Sequence, residues 1–455
     1  MSALPTAVVS ERPVERSEVR AFLASALSAP RRGPLAITIP APIGRPLALL
    51  DGLRRGDAVH LHDDKRAWTA LGATRLTKLE GPERCHDARR AYETARDALG
   101  LVAHERAGDA RPTWAFGLSF APGRARDPWT TLGDGLLVLP RWAHRVENGA
   151  ATLTLVVDQD EPSGAALALA ELDALWEGLS APSRSLGEPL RAQARHVDPE
   201  RWRRSIDDVK RRIDAGEAEK IVVARRSLVL ASRAIDPAAL LRRLERPGAT
   251  HFCIRRRGVA FVGATPERLF RKRGRLVHTE AVAGTASLER DPAAHALLAS
   301  IKDVHEHQVV VDGIAAVLSG MRGEVSIGTR GLRTIGAIAH LVTPIEARMV
   351  RDTSAFELLE ALHPTAAVGG APRATALRWI ADHEPDRGWY AGPVGWIDAH
   401  GNAEVHVALR SALLVGARAY AYAGCGVVSA SDPDAEYAET ALKLAPMLSA
   451  LGVPA

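Results

Sequence analysis

Lysine is nearly absent from this chain: seven stand against fifty-two arginines in 455 residues. Where a positive charge is all that is needed, arginine supplies it. An arginine cannot lose its proton near neutral pH, whereas a buried lysine can. The lysines that remain inside clusters are therefore candidates for chemistry. Lys220 lies in Ala-Glu-Lys-Ile-Val-Val-Ala-Arg, Lys302 in Lys-Asp-Val-His-Glu-His, and Lys443 closes Glu436-x-x-Glu439-Thr-x-x-Lys443. Cysteine is equally scarce. Cys85, Cys253 and Cys425 are odd in number and far apart, which excludes a disulfide framework or a cysteine metal site and points to a reducing cytoplasm. No apolar run is long enough for a membrane span or signal peptide. Residues 1–33 are arginine-rich like a transit peptide, but Glu11, Glu15 and Glu18 argue against that. Aromatics are 5% and no basic stripe interleaves with them, so nucleic acid is not an expected partner. A net charge of +5 suits a small anionic substrate.

The length allows one large core or two to three ordinary ones. Residues 1–33 read as a tail leading into a short helix at Glu15–Leu27. Residues 34–190 alternate short apolar strands (Leu35–Ile39, Ala58–Leu61, Trp114–Phe120, Gly135–Leu139, Ala151–Val157) with helices at His86–Leu99 and Gly164–Leu179. Pro182–Val197 reads as a connection. From 198 to 455 the pattern gives a helix at Pro199–Ala215 and a strand at Ile221–Leu230. Further strands follow at Phe252–Ile254, Val259–Gly263 and Arg275–His278. Two helices, Asp291–Leu318 and Asp352–Leu362, precede a meander of Val394–Ile397, Glu404–Ser411 and Ala419–Ala423, and the last helix is Asp434–Leu451. Strands in runs predict an α+β fold with large antiparallel sheets, not a Rossmann fold. No internal repeat is visible, and no spare apolar stripe suggests an oligomer, so a monomer is expected.

On the last helix Glu436, Glu439 and Lys443 are three and four apart and share a face. Asp303 and Glu306 are again three apart, flanked by His305 and His307. Two helices offering two carboxylates each could hold a hard divalent cation such as Mg²⁺, which takes oxygen ligands. The plain alternative is a solvated salt-bridge face, the usual meaning of such spacing. Glu267, in Thr265-Pro-Glu-Arg268 after an apolar strand, could project into a cleft or simply pair with Arg268. His363-Pro-Thr-Ala-Ala-Val-Gly-Gly-Ala-Pro372 is a stiff small-residue loop that lets backbone approach a ligand, or a helix-ending turn. Arg410 could clamp a carboxylate, or be an exposed strand-end charge.

The order of these motifs resembles the chorismate-utilising enzymes, a group that includes isochorismate, salicylate, anthranilate and aminodeoxychorismate synthases. The resemblance covers residues 200 to 450. It rests on Lys220-Ile-Val-Val-Ala-Arg, Gly263-Ala-Thr-Pro-Glu267, Ala283-Gly-Thr, Lys302-Asp-x-x-His-Glu306-His, His340-Leu-x-Thr-Pro, His363-Pro-Thr-Ala-Ala, Tyr390-x-Gly-Pro-Val-Gly-Trp396, Arg410, Gly424-x-Gly426 and Asp432-Pro-x-x-Glu436-x-x-Glu439-Thr-x-x-Lys443. The N-terminal half fits only loosely, through Trp68-Thr-Ala-Leu-Gly-Ala and Phe116-Gly-Leu-Ser-Phe120.

The resemblance implies two large packed antiparallel sheets with helices outside, chorismate as substrate and Mg²⁺ as the required ion. Lys220 would be the base that activates water, Glu267 the acid, and His340 would orient the ring. Glu306 and Glu439, with Glu436 and Asp303 behind them, would hold the metal. Gly284, Thr285, Ala367, Tyr390, Leu409, Arg410, Gly424 and Lys443 would contact substrate. Amide-nitrogen-using relatives carry Gln at the Lys220 position. Aminodeoxychorismate synthase places a nucleophilic Lys at the Ala283 position, and salicylate synthases tend to carry Thr at the Ala367 position. The pattern here looks most like an isochorismate synthase, with salicylate synthase as the alternative.

Overall fold

Neighbouring residues of one strand belong to different cores. Val259 and Phe261 sit in one buried cluster, Ala260 and Val262 in a second. Ala412 and Leu414 likewise part company with Leu413. Strand side chains alternate between faces, so such a strand is covered on both sides and must be apolar at both parities. One cluster lies between two sheets, where Phe261 meets Trp129 and Trp389 edge-on. The other is roofed by helices that contribute Val19, Leu23, Leu172, Leu241 and Leu444. This computed structural model describes residues 14–29, 33–52, 56–109, 111–123, 125–158, 164–181, 190–288, 291 and 293–454. Among them the fold is α+β, with sheets of thirteen and ten strands and helices outside. Pairings are antiparallel except Leu35–Pro40 with Gly100–Ala103, which is parallel.

The strand order reads the same in both directions. In the larger sheet the midline is the pairing of Ala58–His62 with Thr250–Arg256. Outward on one side come Arg66–Leu71, Trp142–Glu147, Ala150–Val157 and Leu35–Pro40. On the other come Val259–Thr265, Ser411–Val415, Arg418–Val427 and Lys220–Ala231. The smaller sheet repeats this about Thr113–Leu118 and Pro393–Asp398. Gly135–Leu139 and Arg75–Lys78 lie to one side, Ala403–Val407 and Arg268–Arg273 to the other. The two halves thus share one plan, to which the C-terminal half adds Leu276–Ser287, Ile338–Met349, Gly323–Ile327 and Gly331–Ile335 at the edge of the smaller sheet. No repeat was expected from the sequence, because little survives of it beyond Gly72-Ala-Thr74 and Gly263-Ala-Thr265 at matching strand ends.

In each unit two of the passages between sheets run directly from strand to strand. The C-terminal unit crosses at Pro266–Glu267, between Val259–Thr265 and Arg268–Arg273, and at Ala408–Arg410, between Ala403–Val407 and Ser411–Val415. The two crossings run side by side. Val407 N donates to Glu267 O (3.1 Å), Thr265 Oγ1 to Val407 O (2.5 Å) and Ala264 N to Arg410 O (3.3 Å). The sequence reading ran one strand through Glu404–Ser411. The chain instead breaks at Arg410, whose φ of 49° is left-handed and ends extended structure.

The expected helix at Asp291–Leu318 is two, His295–Ala299 and Ile301–Gly320. Ser300 interrupts it and caps the second, its side chain accepting from Asp303 N. Helices Pro237–Leu244 and Arg373–His383 and strands Gly323–Ile327, Gly331–Ile335 and Ile338–Met349 went unread. Of the expected connection, residues 182–189 lie outside those described, and Ala192–Arg195 is a strand paired with Leu228–Ala231. Helix Arg16–Ser28 matches the expected short helix and is tied by Arg16 and Arg20 to Asp173 (2.7 and 2.6 Å). No helix among the described residues is long and apolar enough to cross a membrane.

Candidate active site

The two C-terminal crossings open onto a cleft of about 700 Å³, its mouth included. The sequence-nominated residues Glu267, Gly284, Thr285, Glu306, His340, Ala367, Tyr390, Leu409, Arg410, Gly424, Glu439 and Lys443 all line it. They arrive from nine separated stretches of the chain. Lys220, Glu436 and Asp303 do not line it.

Glu267 is 5% exposed. Burial, then the charge of Glu280, raises its carboxyl to about 8, against the pull of Lys220 and Lys443. The side chain therefore keeps a proton at neutral pH. Lys220 begins the strand Lys220–Ala231 and is wholly buried. Its Nζ lies 2.9 Å from Glu306 Oε1 and has no other polar partner among the described residues. It reaches the cleft only past Glu306 and Gly426. A Cβ on Gly426 would meet Glu306 Oε1 at 2.1 Å and Lys220 Cε at 2.5 Å, so a larger residue there would displace the Lys220–Glu306 pair.

His340 is neutral, its pKa lowered to about 3 by burial and then by Arg410. Its tautomer follows from its partners. Nδ1 stands 3.1 Å from the Gly284 carbonyl, which can only accept, and Nε2 stands 3.3 Å from Arg410 Nη2, which can only donate. Burial lowers Arg410 to about 10, which leaves it charged at neutral pH. With Lys443 it puts two cations in one cleft, suited to an anionic substrate. Lys443 holds Glu439 (2.6 Å) and donates to Gly424 O (3.0 Å).

Each of the three glutamates nominated for metal is met by a lysine: Glu306 by Lys220, Glu439 by Lys443, and Glu436 by Lys302 at 2.5 Å. Burial would raise Glu306, but Lys220, Lys443 and Lys302 hold it below the usual carboxylate range. Glu436 is raised by burial and by the charge of Glu439. Asp303 is engaged by Ser300 at the helix start. Among the described residues no three His, Cys, Asp or Glu side chains converge as a ready metal site. The donor set nevertheless fits a hard cation. All the donors are carboxylate oxygens, two of the side chains line the cleft, and Glu436 Oε2 is buried with no hydrogen-bond partner.

The sequence reading missed Arg387 and Glu384. Arg387 is 4% exposed and lines the cleft. Its guanidinium donates to both Glu384 oxygens (2.7 and 2.9 Å), to Val368 O (2.8 Å) and to Val222 O (2.9 Å). It thereby fastens the proline-flanked loop to the Lys220 strand. Its position three residues before Tyr390 was the available signal. Tyr390 stacks on Tyr422 at 5.1 Å, forming an aromatic wall.

A two-sheet α+β sandwich with a buried acid, a buried lysine and paired cations at its crossovers defines a class, and comparison with known proteins gives it a name. The chorismate binding enzyme family model matches residues 22–452, and the chain belongs to that family. The salicylate biosynthesis isochorismate synthase of Pseudomonas aeruginosa is 39% identical over 360 residues, 76% of this chain and 75% of that one. The isochorismate synthase MenF of Bacillus subtilis is 37% identical over 300 residues, 62% of this chain and 64% of its own length. The solved structure of MenF, the menaquinone-specific isochorismate synthase of Escherichia coli, superposes with a TM-score of 0.78 at 26% identity, covering 96% of this chain and 99% of that one.

Proposed function

We propose that this chain is an isochorismate synthase, an isomerase that adds water to C2 of chorismate and expels the C4 hydroxyl, with Mg²⁺ as its ion. The observation that carries this reading is Glu267, a buried carboxyl lining the cleft, with Lys220 buried against Glu306 of the same lining. The names of the relatives support the same activity.

In this mechanism the Lys220–Glu306 pair opens first. Lys220 is the residue placed to take a proton from water as the oxygen bonds to C2. Glu267 gives its proton to the C4 oxygen as that bond breaks, and the ring double bonds shift between. One water enters and one leaves. Arg410 and Lys443 hold the carboxylates, and neutral His340, fixed by Gly284 and Arg410, sets the ring. Glu306, Glu439 and Glu436, with Asp303 behind, would hold Mg²⁺, which supplies an anchoring charge for a substrate carboxylate. The enzyme is read as a cytoplasmic monomer, in keeping with three cysteines that are free and buried.

Incubation with chorismate and Mg²⁺, resolved by chromatography, tests this. Isochorismate without pyruvate supports it, and loss of turnover on chelation with recovery on Mg²⁺ addition supports the ion. Salicylate with pyruvate would move the chain to the salicylate synthases, and unconsumed chorismate would overturn the reading.

A further inference from the structure

The crossing that carries Glu267 is held from behind by a side chain outside the cleft. Arg333, on Gly331–Ile335, donates Nη1 to the Pro266 carbonyl (3.2 Å) and grips Glu280 with both nitrogens, at 2.6 and 2.7 Å. Glu280 is 7% exposed. The Pro266 carbonyl belongs to the peptide that leads into Glu267, so whatever moves it swings the acid. In the strand register Arg333 also stands opposite His340. One guanidinium thus touches the peptide before the acid and the carboxylate behind it, and shares a strand pair with the imidazole that faces the ring.

We propose that Arg333 is a positioning residue for the general acid, fixing through Pro266 and Glu280 where the Glu267 carboxyl stands in the cleft. The inference rests on the assignment of Glu267 as that acid. A bidentate guanidinium fixes direction as well as charge, which an ammonium cannot do. It also covers the Glu280 charge, the second cause, after burial, of the tightly held Glu267 proton. The other charges on Glu267 are Lys220 from its strand and Lys443 from the last helix, while Arg268, next in sequence, lies 3.9 Å from Glu280. The cleft also presents Arg410, Arg387, Glu306, Glu439, Tyr390 and neutral His340.

Without Arg333, Glu280 becomes a barer anion behind the acid and the Pro266 peptide loses an anchor. Arg333→Gln should lower kcat about tenfold to a hundredfold, the scale of a misplaced catalytic group, with KM nearly unchanged. The alkaline limb of kcat should move up by about one pH unit as the acid holds its proton harder. Arg333→Lys should return the limb towards wild type but not kcat. Glu280→Gln should move the limb down. A merely structural Arg333 would lower thermal stability and leave the pH limb in place.

The test is the pH profile of chorismate turnover for wild type, Arg333→Gln, Arg333→Lys, Glu280→Gln and Glu267→Gln. An Arg333→Gln enzyme with wild-type kcat and an unmoved limb overturns the inference while a dead Glu267→Gln leaves the acid assignment standing. An active Glu267→Gln would remove both. If Arg333→Gln does not fold, a lowered kcat with a near wild-type limb in Arg333→Lys and a lowered limb in Glu280→Gln support the inference, and a wild-type kcat in Arg333→Lys overturns it.

Discussion

The two units cross between sheets in the same way, yet only the C-terminal crossings line the cleft. Ala70 pairs with Ala143 as Phe261 pairs with Leu413, so Pro140 occupies the place that Arg410 holds. The N-terminal crossing carries no carboxyl and is tied to its surroundings by Thr74 and Arg141. Thr74 N donates to Leu139 O and its hydroxyl to Val156 O, both at 2.9 Å, and Arg141 turns outward to Glu171 at 2.8 Å. At the C-terminal crossing Pro266 and Glu267 extend the matching link, and Glu267 carries its carboxyl into the interior. Arg410 adopts a left-handed φ that a proline could not. The difference shows that one turn plan accepts either plain sheet contacts or a buried carboxyl beside a left-handed arginine.

The largest effect expected from breaking this contrast is at the acid itself. Glu267→Gln keeps the shape and removes the proton, so turnover should fall by roughly 10²–10⁴, measured as the initial rate of chorismate loss, with the fold intact by circular dichroism. Next is Arg410→Gly. Glycine accepts φ of 49° without cost, so stability should hold or rise by about 1 kcal/mol, while kcat/KM should drop roughly thirtyfold or more through loss of a charged contact.

A third effect is one of pH. The Glu267 pKa is about 8 in the fold and roughly 4.3 when unfolded. Stability tied to its proton is full below the unfolded value and is lost as pH rises through about 8. Glu267→Gln lacks this loss, so it should gain on the order of a few kcal/mol over wild type at pH 9 and nothing at pH 4, read from urea midpoints. Wild-type turnover should also decline above about pH 8. The smallest effect belongs to the quiet crossing. Arg141→Ala should cost at most about 1 kcal/mol and leave kinetics untouched, and a kinetic defect there would break the comparison.

Much of the site was legible because its residues sit in dense local motifs. The Glu436–Lys443 helix face shows itself by spacing, while Lys220 and Glu267 gain their roles only from the family resemblance of the motifs around them. Arg333 announces nothing: it is one arginine among fifty-two, on a strand whose side chains are largely exposed, and its meaning comes from partners 53 and 67 residues away. The fold class was legible from strands in runs. The duplication was not, because antiparallel order is set by long-range pairing and the two units share only a few residues at equivalent strand ends. The long helix was misjudged at Ser300, where apolar periodicity continues across a residue that caps.

The midline pairing of Ala58–His62 with Thr250–Arg256 has a bearing on dissection. Severing the chain ahead of residue 198 would keep most of the cleft lining but bare a whole sheet rim of unmet amides and carbonyls. Because each unit ends on the same kind of rim, such a fragment should seek a second copy of itself, rebuilding as a pair of chains what the intact protein achieves within one.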